Sequence, residues 1–255
     1  MPIPEGVETD YIINNMEKRI QKYNLNHDNY VGHYKNYINK RNHYIEELGD
    51  LSNAVREKDF ILDIEKILIE YGMNSRNSEL MNNSTFQNTL INNIDVIDEI
   101  ENSKKTISSI TNNAELIKKI KILYNKLSKP QALTLSGGFV IASKTMHFLF
   151  PELFIMIDGA HIGISLYNID DYVPHPIDGK NWYSVFSDYS GKKSNPSPRG
   201  NGRRSWDSER YCMALFYYKR LFYEWIDKND SNENAFIKLD QNSNYIPRIL
   251  DKALW

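Results

Sequence analysis

The sequence predicts a mainly α-helical fold, and three observations carry that expectation. Apolar residues recur at three- and four-residue spacing, strand-like alternation is scarce, and asparagine-rich breaks separate the helical runs. Hydrophobic residues make up 41% of the 255-residue chain and aromatics 12%. That is enough for a substantial core and excludes a globally disordered chain. A single cysteine, Cys212, excludes an intramolecular disulfide and any multi-cysteine zinc or iron–sulfur site. The first twenty residues lack the basic-then-apolar order of a secretion signal, and no apolar run reaches the roughly 18 residues of a membrane span. The expectation is a cytoplasmic protein with no membrane partner.

Each element has its own signature. In "DFILDIEKILIEYG", Ile61, Ile64, Leu68 and Tyr71 share one helical face, and Gly72 is placed to stop the helix. "STFQNTLINNIDVIDEIEN" repeats the pattern. "NAELIKKIKILYNKL" aligns Leu116, Ile120, Leu123 and Leu127, with Asn112 or Asn113 as its cap. "SERYCMALFYYKRLFYEWI" predicts a long helix capped by Ser208, with Leu215, Phe216, Phe222 and Trp225 in the core. "YIPRILDKALW" predicts a last helix that packs Leu250, Leu254 and Trp255 inward. The tyrosines and histidines between His27 and Tyr44 fit either a solvated helix face or a pocket wall.

Residues 168–207 differ in kind. Pro174, Pro176, Pro196 and Pro198 with Gly179, Gly191, Gly200 and Gly202 predict a long irregular loop. Seven basic residues against three acidic ones lie between Lys180 and Arg210. The net charge of −2 therefore divides into a local +4 and −6 elsewhere.

The densest apolar stretch is "SGGFVIASKTMHFLFPELFIMIDG", Ser136 to Gly159, which ends on one carboxylate, Asp158. Gly137 and Gly138 predict a turn whose following helix offers backbone N–H groups to a phosphate. Pro151 ends that helix, and "PELF" connects to the segment carrying the acid. Two readings of Asp158 remain open at this point. It either caps a following helix or is a desolvated carboxylate with a chemical role.

This register resembles the core motif of the helix-hairpin-helix DNA glycosylase superfamily, in which a glycine hairpin grips a DNA phosphate ahead of a catalytic aspartate. "FIMIDGAHI", Phe154 to Ile162, is similar to "FPILDGNV" of the adenine-mismatch branch, with Ile155 in the proline slot. Gly138 and Asp158 are 20 positions apart, close to the family separation, and Ala142 fills the small-residue position. Ser136 stands where the family has its first hairpin glycine.

The resemblance implies a helical glycosylase-like fold, with an N-terminal helical region at 1–110 and a helix-hairpin-helix and catalytic region at 111–255. Together these would make one compact unit of two lobes and a monomer. It implies Asp158 as the catalytic carboxylate and Ser136, Gly137 and Gly138 as the phosphate hairpin. Val140 occupies the lysine position of bifunctional members, so a monofunctional enzyme is expected, without metal or other cofactor. The implied partner is double-stranded DNA bearing a damaged or modified base, and the superfamily includes bacterial defence enzymes that act on modified phage bases. A non-catalytic DNA-binding protein is the alternative.

Within that frame the basic loop mixes cations with aromatics, as backbone contact and base stacking require. Trp182, Tyr183, Lys192, Lys193, Arg199, Arg203, Arg204 and Trp206 are the candidate DNA or base contacts, and a solvated loop is the other reading of them. His147 and His161 join the candidates for their nearness to the acid, and structural histidines are the other reading of these.

Overall fold

The computed structural model describes residues 9–73, 79–111, 113–157, 173–174, 181–182 and 207–255. Eleven helices run through the described residues: α1 (Thr9–Asn26), α2 (Asp28–Leu48), α3 (Leu51–Arg56), α4 (Lys58–Glu70), α5 (Asn83–Ile91), α6 (Ile94–Asn102), α7 (Ala114–Leu127), α8 (Phe139–Leu149), α9 (Ser208–Lys228), α10 (Glu233–Ile237) and α11 (Ile246–Leu254). Two residues each of β1 (Val173–Pro174) and β2 (Asn181–Trp182) pair antiparallel, Val173 opposite Trp182 and Pro174 opposite Asn181. A short ladder thus interrupts the stretch expected to be wholly irregular.

Local chemistry sets the boundaries. Asn113 caps α7 by accepting from the Glu115 and Leu116 amides, so the choice between the two asparagines falls on Asn113. Asp207, rather than the expected Ser208, caps α9, because its carboxylate accepts from the Arg210 amide while Ser208 is already helical. The run from Ser84 to Asn102 is two helices: Asn92 and Asn93 form a turn, and Asn93 directs its side-chain amide to Thr89 O. Gly72 closes α4 with a left-handed φ of 80°.

One buried apolar cluster draws on helices from both halves of the chain. Helix α1 packs on α11, α7 packs on both α6 and α9, and α2 packs on α3 and α4. Of the stripe expected in α9, Leu215, Phe222 and Trp225 are buried and Phe216 packs half-buried against them. Nothing in the surroundings of Leu250 and Leu254 departs from expectation, as both are fully buried.

Helix α8 crosses the centre. It is buried nearly all round, Val140 alone being half-exposed, as a core helix should be. Its C-terminal carbonyls, which no helical N–H can reach, are satisfied from α2. Arg41 donates to Leu149 O through Nε at 3.0 Å and Nη2 at 2.6 Å, and Tyr37 Oη donates to Phe148 O at 2.9 Å. No described helix is long and apolar enough to cross a membrane.

Candidate functional site

Two features flank α8, and the first is the hairpin before it. Residues 128–138 join α7 to α8 through a turn in which Gly137 has φ 67° and Gly138 has φ 129°. A Cβ on Gly137 would lie 2.5 Å from the backbone of Ser128, Lys129 and Pro130, so only glycine fits there. The amides of both glycines are used inside the turn: Gly138 N–H donates to Ser128 O at 2.8 Å and Gly137 N–H to Thr134 O at 3.2 Å. The glycines shape the turn, and the N-cap of α8, Gly138, supplies no side-chain cap.

Lys126 and Lys129 on the chain leading into this turn and Ser136 within it are exposed, and Leu135 is 59% exposed. The hairpin is tied to the preceding chain, because Leu80 bridges Thr134 and the Met81 amide donates to Leu133 O at 2.9 Å.

The second feature follows α8. Pro151 opens a turn, and residues 154–157 then run extended and fully inside the protein. Their backbone groups have no strand partner, so side chains from three helices serve instead. His147 on α8 holds Phe154 O at 2.6 Å, and Tyr211 on α9 donates to Ile155 O at 3.0 Å. The Met156 amide donates to Asp251 Oδ2 on α11 at 3.4 Å, and the Ile157 amide to Ser143 Oγ on α8 at 3.0 Å. These four contacts form a buried strap, and Asp158 is the next residue of the chain.

The strap explains His147. A carbonyl can only accept, so Nδ1 carries the proton, and Nε2 must accept from Tyr34 Oη at 2.9 Å. Burial, reinforced by the charges of Arg248 and Arg41, pushes its pKa down to about 3 against the opposing bond to Phe154 O. The expectation that His147 contacts DNA or base is therefore corrected: it is 0% exposed and both ring nitrogens hold structure.

A cavity of about 90 Å³ opens beside the strap. Tyr23, Tyr30, Tyr71 and Trp255 supply aromatic walls, and Lys144, Arg248 and Met156 complete the lining. Lys144 Nζ donates to Tyr71 O at 2.7 Å. Arg248, 2% exposed, donates through Nη2 to Tyr23 Oη at 2.8 Å and Tyr71 Oη at 3.1 Å. Burial opposes its charge, but Tyr71, Tyr23 and Asp251 outweigh that and hold the guanidinium above its ordinary range. Of the residues between His27 and Tyr44, Tyr30 reaches this wall, while Tyr34 and Tyr37 are buried behind it. A larger hollow of about 190 Å³, between α2 and residues 241–245, is lined half by carboxamide side chains and, among the described residues, carries exposed Lys35 as its one charged side chain.

Sequence reasoning missed Lys144, Arg248, Tyr23, Tyr71 and Trp255 as a group. The signal was present in "PRILDKAL", where Arg248, Asp251 and Lys252 fall at three- and four-residue spacing between apolar neighbours. That spacing normally marks a solvated face, yet all three are buried here.

Asp158, His161, Tyr183, Lys192, Lys193, Arg199, Arg203, Arg204 and Trp206 lie outside the described residues, and of Trp182 only its place in β2 is described. Among the described residues no group of three histidine, cysteine or carboxylate side chains is arranged to hold a metal ion. No protein-family description, curated protein or solved structure matches the chain.

Proposed function

We propose that the protein is a monofunctional DNA glycosylase that uses Asp158 to hydrolyse the N-glycosidic bond of a flipped base. One observation carries the reading. The chain leading to Asp158 is fixed by the buried strap, and Met156 of that strap lines an aromatic, cationic cavity. Two further features support it. A glycine turn and the N-terminus of α8 stand one helix upstream, with exposed Lys126 and Lys129 on the chain leading into the turn. That combination suits a DNA phosphate.

A base must leave the stack before its glycosidic bond can be reached. In this reading the base enters the cavity and the sugar stays by Asp158. As the bond from C1′ to the base nitrogen breaks, the electron pair leaves with the base and the sugar becomes oxocarbenium-like. The Asp158 carboxylate stabilises that cation and takes a proton from the attacking water. Hydroxide adds to C1′, the proton taken by Asp158 is passed on to the departed base, and an abasic site and an ionised Asp158 remain. Lys144 Nζ is directed at Tyr71 O, so no Schiff-base step is assigned to it.

The test uses duplexes containing uracil, 8-oxoguanine, alkylated purines, mismatches, or the hydroxymethylated and glucosylated cytosines of phage DNA. Each is incubated with the protein and then treated with alkali to reveal abasic sites. Breaks are expected with one substrate class, only after alkali, and not with Asp158→Asn, which should retain DNA binding. Salt-sensitive DNA retention without breaks on any duplex would replace this reading with that of a DNA-binding protein.

A further inference from the structure

Aromatic cages usually attract cations through the negative faces of their rings, and this cavity is aromatic on most sides. Its ring faces, however, already carry the protein's own charges. The Arg248 guanidinium lies 5.0 Å from the Tyr23 ring centre, 5.2 Å from Tyr34 and 5.6 Å from Tyr71. Lys144 Nζ stands 5.7 Å from the Tyr71 ring, and Lys252 Nζ 5.8 Å from that of Tyr23.

The polar groups of the lining are equally one-sided. Among the described residues the lining side chains supply an ammonium, a guanidinium, phenols and an indole. Asp251 sits behind the wall, where one carboxylate oxygen accepts from the Met156 amide. A planar ligand here meets aromatic surface on its faces and hydrogen-bond donors at its edge. Its edge is therefore best matched by acceptors, and a positive ring would meet the like charges of Lys144 and Arg248.

We propose that the cavity selects a neutral or anionic base that presents carbonyl oxygens, and that it rejects bases made cationic by alkylation. This rests on the glycosylase reading, since it assigns the cavity to the flipped base. It goes further by naming the chemistry of that base.

Pairs of nucleosides that differ in charge and hardly in shape test the selection without any catalysis. 1-Methyl-deoxyinosine is neutral with a carbonyl at position 6, whereas 1-methyl-deoxyadenosine is a cation at pH 7. The pyrimidine pair is 3-methyl-deoxyuridine and 3-methyl-deoxycytidine. Binding to the full chain is measured by titration calorimetry, with quenching of tryptophan fluorescence as a second readout because Trp255 lines the cavity.

The neutral member of at least one pair is expected to bind tenfold or more tightly than its cationic partner. Lys144→Met should narrow that ratio. Tyr30→Leu, which removes only a half-buried ring from the wall, should weaken both members and leave the ratio unchanged. Should Lys144→Met fail to fold by circular dichroism, the wild-type ratios and Tyr30→Leu still decide the matter. Equal or tighter binding of the cations, or no binding of any nucleoside, overturns the proposal. Displacement of the nucleosides by inorganic phosphate at equal concentration also overturns it, since the cavity would then be an anion site for the DNA backbone. Abasic-site formation is read separately, so loss of the base selectivity and loss of the glycosylase reading are distinguishable.

Discussion

The hairpin before α8 and the strap after it solve the same problem by opposite means. Both must hold an irregular backbone in a fixed shape. The hairpin lies at the surface and is held by its own backbone, through two positive-φ glycines and bonds from Gly137 and Gly138 to Thr134 and Ser128. The strap lies in the core, where it borrows side chains from α8, α9 and α11. A backbone-held turn is sensitive to conformation and close approach. A side-chain-held strap is sensitive to the loss of single polar groups and to protonation.

The largest expected effect separates the two hairpin glycines. Gly137→Ala places a methyl group against three backbone atoms at 2.5 Å in a left-handed conformation, and should destabilise by about 3 kcal/mol. Gly138→Ala also forces an unfavourable φ of 129°, but nothing lies within 4 Å of its added Cβ, so about 1–2 kcal/mol is expected. Urea unfolding of both variants measures the difference. Equal losses would show that the approach of residues 128–130 does not constrain the turn.

This contrast also explains what the sequence revealed. The glycine turn was legible because its determinants are local: two adjacent glycines between helical runs. The helices with clear apolar periodicity were legible for the same reason, down to the Gly72 stop, whereas α1, α3 and α10 were not singled out. Candidate site residues read from nearness in sequence fared differently. His147 is close to Asp158 in number but faces Tyr34, more than a hundred positions away. Of the cavity only Tyr30 was foreshadowed, through the pocket-wall reading of residues 27–44, since Tyr23, Tyr71, Lys144 and Arg248 come from four separate helices or their ends. Only long-range packing turns the charges of α11 inward. The decisive partners of the strap, Ser143, Tyr211 and Asp251, are common residues in common helices, with no local pattern to mark them.

Protonation gives the second test and acts on the strap alone. His147 titrates at about 3 in the folded protein, against about 6.5 in an unfolded chain. The unfolded state therefore binds the extra proton between those values, and stability falls as pH drops below about 6.5. Linkage gives a loss of about 2 kcal/mol from this group between pH 7 and pH 5. Burial raises the pKa of Glu65 and Asp98, and of Glu101 as well, so those carboxyls shift stability the other way as acid is added. Comparing wild type with His147→Gln isolates the histidine: the variant should start less stable and lose about 2 kcal/mol less over that interval. Identical slopes would mean that His147 is not held neutral by the strap.

A modest stability effect is the most informative about function. Ser143 Oγ accepts from the buried Ile157 amide at 3.0 Å and lies within donating distance of both Ile157 O and Val140 O. Ser143→Ala removes that acceptor and leaves the amide without its bond, which should cost about 1–2 kcal/mol. Ile157 immediately precedes Asp158, so loosening it also loosens the residue proposed to meet the sugar. If Asp158 is catalytic, excision at saturating DNA should fall by roughly tenfold, because carboxylate placement enters the rate directly, while DNA affinity stays unchanged. Ser143→Thr, which restores the hydroxyl, should recover most of the rate. A variant that loses stability but keeps its full rate would confine the strap to a structural role and separate it from the chemistry at Asp158.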